Sequence, residues 1–261
     1  MRAPHSFGVE AVVLRHTDYG EADRILTLFT RQLGKTRAIV KGARKLTSRK
    51  AGHLEPFTHV KLQLAKGRDM PLITQAETVN AFVPIREDLV LTSQASYVLE
   101  LVDRFTYDEG VDSSGVFQVL IETLGRLADK ADPWMVTRFY EMRLLDDLGF
   151  RPKLFECAIC GKPVQPEDQF FSYVAGGVVC PESAKGEQMK PSERLALRPI
   201  TLEALRYLRH FQRSAYSDAA RARPPADIQH ETESIMQGFF TYLLERELKT
   251  PGFLRQIRRS S

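Results

Sequence analysis

The sequence predicts an α+β protein: a small five-stranded barrel at the amino terminus, then an α-helical domain that carries a cysteine-bearing insert. Three observations predict it. Residues 7–82 hold five short apolar segments of strand character, separated by turn residues. After Pro84 the apolar spacing changes from alternation to a helical period. Between two helical stretches lies a Pro- and Gly-rich segment, residues 151–186, that holds all three cysteines of the chain.

The predicted strands are FGVEAVVLRH, DRILTLFT, TRAIVKGA, FTHVKLQLAKG and PLITQAETVNAF. Asp18-Tyr19-Gly20, Leu33-Gly34-Lys35 and Lys66-Gly67-Arg68-Asp69 supply the turns. Five strands in so short a span suit a small closed barrel better than a sandwich, which needs about seven. The OB-fold has this size and strand count; strand count alone does not separate it from an SH3-like barrel. Helices are expected over 86–107 and 112–129, and from Asp132-Pro133 to Leu148, where an Asp cap and a Pro in first position open the helix and Gly149 closes it. Thr201 caps a helix through His210, and a last helix runs from Asp227 to Leu248. The domain plan is therefore a barrel over 1–84, a helical domain in two parts over 85–150 and 187–261, and the insert over 151–186.

Charge is distributed unevenly. Residues 1–84 carry +7 and the remainder −3. Between Asp23 and Glu55 there is no acidic residue, while nine basic ones occur: Arg24, Arg31, Lys35, Arg37, Lys41, Arg44, Lys45, Arg49 and Lys50. A block of one sign is the footprint of a polyanion partner. Lys35, Arg37 and Lys41 fall on odd numbers and share one face of a strand, with Ile39 between them. The loop after it adds Arg44, Lys45, Arg49 and Lys50. The bland alternative is a solvated surface with incidental charge. Aromatic residues are sparse in this region, which favours contact with the phosphate backbone over base readout.

Cys157-x2-Cys160-x19-Cys180 matches three quarters of a zinc ribbon, and Gly161 suits a tight knuckle. The fourth cysteine would stand at 183, where the sequence has Ser183. Tetrahedral zinc takes four ligands, mostly thiolate or imidazole. Two readings stay open. Zinc binds through the three cysteines with Glu182, Asp168 or a water as the fourth ligand, or the metal is lost and the hairpin persists on packing by Phe170, Phe171 and Val179. An open catalytic site lacks a nearby general base.

The six histidines are scattered, and none stands at ligand spacing with another. No phosphate-binding GxxxxGK[ST], GxGxxG or GxSxG element occurs, so nucleotide hydrolysis, dinucleotide redox and serine acyl chemistry have no support. The odd cysteine count argues against a secreted disulfide framework. No apolar run is long enough to span a membrane and no secretory leader is legible, which points to a cytoplasmic chain.

Taken in order, the segments Ala11-Val-Val-Leu-Arg15, Asp18-Tyr-Gly-Glu-Ala-Asp-Arg-Ile-Leu26, Val40-Lys-Gly-Ala-Arg44, Leu54-Glu-Pro-Phe57, Tyr140-Glu-Met-Arg-Leu-Leu145, Leu148-Gly-Phe-Arg-Pro152, Cys157-x2-Cys160-Gly161 and Gly176-Gly-Val-Val-Cys180 resemble the RecO family of bacterial recombination mediators. The resemblance implies an OB-fold, a helical domain with a zinc-ribbon insert, and a DNA-repair function without catalysis and without a nucleotide cofactor. It implies binding of single- and double-stranded DNA, strand annealing, and help in loading recombinase within the RecF pathway. The implied partners are RecR and the acidic tail of the single-strand-binding protein. The family's basic barrel surface maps onto Arg15, Arg24, Lys35, Arg37, Lys41, Arg44 and Lys45. Ser183 departs from members with a full knuckle. An apolar stripe of Ile235, Phe239 and Leu243, with Arg246 beyond it, is a candidate groove for such a tail, against the alternative of core packing. An RNA-binding accessory factor using the same barrel is the competing function.

Overall fold

A computed structural model of the chain describes residues 6–45, 51–106, 113–186 and 189–244. It divides into two compact units between Pro133 and Trp134.

In the first unit, β1 (Ser6–Tyr19), β2 (Asp23–Thr30), β3 (Gly34–Val40), β4 (His59–Ala65) and β5 (Leu72–Asn80) form a closed barrel in the order β1-β2-β3-β5-β4. The ladders are antiparallel, apart from the parallel closure at Ile39 and Leu72. Alternation sends Val9, Ala11, Val13, Leu26, Leu28, Ala38, Val40, Val60, Leu62 and Leu64 inward to one core. Burying each leucine there stabilises the barrel by roughly 1.5–3 kcal/mol. A bulge between Val13 and Arg15 breaks the alternation of β1. Leu14 takes up the extra position, so Arg15, which shares its parity with the core residues before it, pairs with Thr27 on the outer face.

The helix expected over 86–107 is two helices, α1 (Val83–Glu87) and α2 (Leu89–Phe105). Asp88 is extended, and its carboxylate accepts from the backbone N–H groups of Val90 and Leu91. An N-cap at 88 therefore starts a new helix where apolar spacing alone suggested continuity. The helix α3 (Ser114–Ala128) lays Phe117 on the barrel, with ring centroids 6.3 Å from Phe29 and 5.8 Å from His59.

The second unit begins with α4 (Pro133–Asp147), which opens at the expected proline and is followed by Gly149 with φ +78°. The strands β6 (Gln169–Ser172) and β7 (Gly177–Val179) make the expected hairpin, and α5 (Pro181–Lys185) and α6 (Pro191–Leu195) follow. The strand β8 (Arg198–Ile200) joins the hairpin in the order β7-β6-β8. Next come α7 (Leu202–Arg213), capped by the Thr201 hydroxyl, then α8 (Tyr216–Ala219) and α9 (Ala226–Leu244). No helix among the described residues is long and apolar enough to cross a membrane.

Candidate nucleic-acid interface and cysteine cluster

The strand pairing sets the outer face of the barrel. Arg15, Thr27 and Arg37 stand in one row across β1, β2 and β3. The next row is Thr17, Ile25 and Ile39, and Tyr19 and Asp23 follow at the end. Arg15, Arg37 and Tyr19 are exposed, Ile25 and Ile39 are half-buried, and Thr27, between the two arginines, is buried. This surface has cations on one side, short apolar side chains in the middle and an exposed phenol ring at its margin.

The predicted cations occupy this region unequally. Arg37 is exposed and has no carboxylate within ion-pair distance among the described residues. Lys45 is likewise exposed in the turn after β3. Lys41 lies in the same turn and pairs with Asp23 at 2.7 Å, while Asp23 also accepts from the backbone N–H of Gly42. The hydrogen bonds from Lys41 and Gly42 lower the Asp23 pKa and the pairing raises that of Lys41. Arg44 and Arg24 share Asp18, each at 3.3 Å, and Arg24 also reaches Glu55 at 3.1 Å.

Lys35 points outward as the alternation predicts, but α2 covers it. Its ammonium donates to the Asp103 carbonyl oxygen at 2.6 Å and lies 3.5 Å from the Asp103 carboxylate, which also meets Arg15 at 3.4 Å. The Lys35 side chain is 18 % exposed and that of Arg15 60 %, so Arg15 remains accessible while Lys35 is largely withdrawn. Sequence reading missed Asp103. It comes from a helix remote in the chain, and no local pattern signals such a contact. Arg49 and Lys50 lie outside the described residues. The exposed pairs of Lys41 and Arg44 are weak, so a phosphate can displace the carboxylate there.

In the second unit the sulfur atoms of Cys157, Cys160 and Cys180 all lie within 4.8 Å of one another. Gly161, at φ +72°, makes the tight knuckle that turns Cys157 and Cys160 to one point, and its N–H donates to the Cys157 carbonyl. Cys160 and Cys180 Sγ are 3.9 Å apart. Two thiolates on one tetrahedral ion with bonds of about 2.3 Å stand about 3.8 Å apart, so this spacing fits a single metal ion. Ser183, buried, places Oγ 3.2 Å from Cys180 Sγ and 3.5 Å from Cys157 Sγ, at the corner a fourth cysteine would take.

The other candidates for a fourth ligand are engaged elsewhere. The Asp168 carboxylate accepts from the Leu202 N–H at the start of α7, and Glu182 is exposed and pairs with Lys162. Burial works against the Cys157 thiolate, but donors from the backbone of Cys160, Cys180 and Ile159 and from Ser183 more than offset it and bring the pKa down to about 6. Burial raises that of Cys180. Below the sulfurs a small core of Val179 and Met189 packs with Phe170.

The apolar stripe of α9 is mostly interior. Ile235 and Phe239 are buried, and Phe239 meets Phe171 edge to face at 5.5 Å. Leu243 is half-buried, and Arg246 lies outside the described residues. Ile235 and Phe239 therefore serve as core and do not floor an open groove.

These features define a mixed α+β protein in which a barrel with a cationic outer face precedes helices that carry a three-thiol knuckle. Comparison with known proteins gives the family. The model described as "Recombination protein O N terminal" matches residues 5–82, and that described as "Recombination protein O C terminal" matches residues 86–251. A DNA repair protein RecO of Roseiflexus sp. (strain RS-1) is 39% identical over 252 residues, covering 97% of this chain and 86% of that protein. Proteins of the same name from Dehalococcoides mccartyi (strain BAV1) and Desulforudis audaxviator are 33% and 36% identical, each with 98% of its own length covered and with 99% and 98% of this chain. The chain belongs to the RecO family of DNA repair proteins.

Proposed function

We propose that the chain is a non-enzymatic, cytoplasmic recombination mediator. It binds single- and double-stranded DNA on the outer face of its barrel, anneals complementary strands and helps load recombinase in the RecF pathway. The observation that carries the reading is the pair of exposed arginines, Arg15 and Arg37, in register on either side of the buried Thr27, with Lys45 and the displaceable pairs of Lys41 and Arg44 in the turn after β3. The barrel order β1-β2-β3-β5-β4 supports an OB-fold, a common platform for single strands.

Cations on this face neutralise phosphates of two strands and lower their repulsion, and base pairing then supplies the driving force. No nucleotide is needed for that step. RecR and the acidic tail of the single-strand-binding protein are the proposed partners. Because Ile235 and Phe239 are packed, we place no tail site on that stripe. The division into a barrel over 1–84, helical parts over 85–150 and 187–261 and an insert over 151–186 goes with this reading.

The knuckle would hold one zinc ion through Cys157, Cys160 and Cys180, with the Ser183 hydroxyl or a water at the fourth corner. The ion would cross-link the loops of a zinc-ribbon-like insert, a structural role.

The decisive experiment measures a labelled single-stranded oligonucleotide binding to the full chain by fluorescence anisotropy. Arg37→Glu combined with Lys45→Glu is expected to weaken binding at least tenfold with an unchanged circular dichroism spectrum. Both residues are exposed and neither holds the fold through an ion pair among the described residues. Unchanged affinity would take DNA off the barrel.

A further inference from the structure

The helix α7 carries Arg206, Arg209 and Arg213, spaced three and four residues apart on one face. At 1.5 Å per residue the stripe is about 10 Å long. None of the three has a carboxylate within ion-pair distance among the described residues. That is unlike the barrel, where Arg15, Arg24, Lys35, Lys41 and Arg44 all have acidic partners.

Two of the guanidinium groups are held in place by one ring. Arg213 lies 3.3 Å and Arg209 5.1 Å from the centroid of Phe155, and Arg209 Nε donates to the Leu154 carbonyl. Stacking on the ring fixes the groups and leaves their remaining N–H donors free for a planar anion. Burial and the neighbouring Arg213 charge both lower the Arg209 pKa, the sign of a cation pair left unneutralised. Arg206 adjoins a groove of about 760 Å³ lined also by Asp168, Glu203, Tyr207 and His210, so its cationic side is the one that runs from Arg206 toward Arg213. The nearest acids stand at the Arg206 end: Asp168 accepts from the Leu202 N–H, and Glu203, one turn before Arg206, forms no ion pair with it among the described residues.

We infer that the Arg206–Arg209–Arg213 stripe, with the guanidinium groups of Arg209 and Arg213 ordered over Phe155, is a second nucleic-acid site that takes the phosphodiester backbone of a single strand. The inference rests on the DNA-binding reading above. A rail of evenly spaced cations fits a polymer with one charge per repeat, and guanidinium donors match phosphate oxygens two at a time. The tyrosine edge in the adjoining groove offers a surface for a base. A chain with one such site on each unit can hold two strands at once, which is what annealing requires.

The test uses the full chain with Arg206→Ala and Arg213→Ala together, leaving Arg209 on its Leu154 bond. Affinity for a labelled single-stranded oligonucleotide is followed from 50 to 300 mM salt. The slope of log affinity against log salt is expected to fall by about 1.4, the amount for two phosphates no longer neutralised, with binding roughly tenfold weaker at low salt. The annealing rate should drop with it. Arg206→Lys with Arg213→Lys keeps the charge and should keep most of the slope, which guards against a folding effect.

An unchanged slope in the alanine variant overturns the inference. So does weaker binding of an acidic peptide, tested as a poly-glutamate probe, with DNA binding intact. The barrel variant Arg37→Glu/Lys45→Glu separates the two readings. If it alone loses DNA, only the α7 site fails; if neither variant loses DNA, both fail.

Discussion

At the scale of single residues the chain's most specific feature is Ser183. Its hydroxyl faces two of the three thiols from the place of a fourth. A serine hydroxyl does not ionise near neutral pH, whereas a thiol ionises near 8.5 and lower when it binds a metal. Three thiolates with a weak fourth donor should therefore hold zinc, and release it faster than a complete set would. The expected outcome is one zinc per chain by mass spectrometry for both the natural protein and Ser183→Cys, with transfer to a chelator at least tenfold slower in the variant. Equal release rates would mean that Ser183 does not stand at the metal's corner. Absence of metal from both would leave the cluster to packing alone. The departure at 183 was legible in the sequence because the spacing of the knuckle was. That Glu182 and Asp168 are engaged elsewhere was not, because their partners, Lys162 and the Leu202 backbone, are set by the folded loops.

At the scale of elements, the barrel and α3 meet at His59. Its Nε2 lies 2.8 Å from Glu10, which also pairs with Arg31, and the Arg31 guanidinium covers the Phe117 ring at 5.2 Å. Burial lowers the His59 pKa below 6.5, and the Glu10 contact only partly restores it. The unfolded chain therefore binds a proton more readily than the folded one. Stability is full above about pH 6.5 and declines as the pH falls below it toward the folded value. Thermal unfolding followed by circular dichroism should show a falling midpoint from pH 7.5 to 5.5, with a shallower fall in His59→Gln. The same profile in both proteins would remove His59 as the cause.

Elements also show where reading from sequence stops. The helix start at Pro133 and the cap at Thr201 were legible because helix-start chemistry is local, and strict alternation placed Lys35, Arg37 and Ile39 on one face of β3. The bulge that turns Arg15 outward is a matter of pairing register, and the Asp103 cover on Lys35 joins residues far apart in sequence. Neither leaves a local signal.

At the scale of the whole molecule, the charge difference between residues 1–84 and the rest is the property that bears on function. The carboxylates of Asp18, Asp23, Glu55 and Asp103 temper the barrel's cations without removing its net positive charge. Their presence makes binding an exchange: each phosphate that arrives displaces either a protein carboxylate or the counterions of the DNA. Only the counterions carry a strong salt dependence, so the slope reports how many cations meet phosphate outright. If about six do, affinity for duplex DNA should fall roughly a thousandfold between 50 and 200 mM salt. A shallower slope with sound affinity would place the binding energy in Tyr19 and the Ile25–Ile39 strip, through stacking and apolar contact. Asp103→Asn then gives an independent reading, because it removes the carboxylate that pairs with Arg15 and Lys35, while Lys35 keeps its bond to the backbone carbonyl and Arg37 and Lys45 are untouched. That variant should bind more tightly at low salt and show a steeper slope. If its slope matches that of the natural protein, Arg15 takes no part in holding DNA, and the interface shrinks to Arg37 and the turn that follows β3.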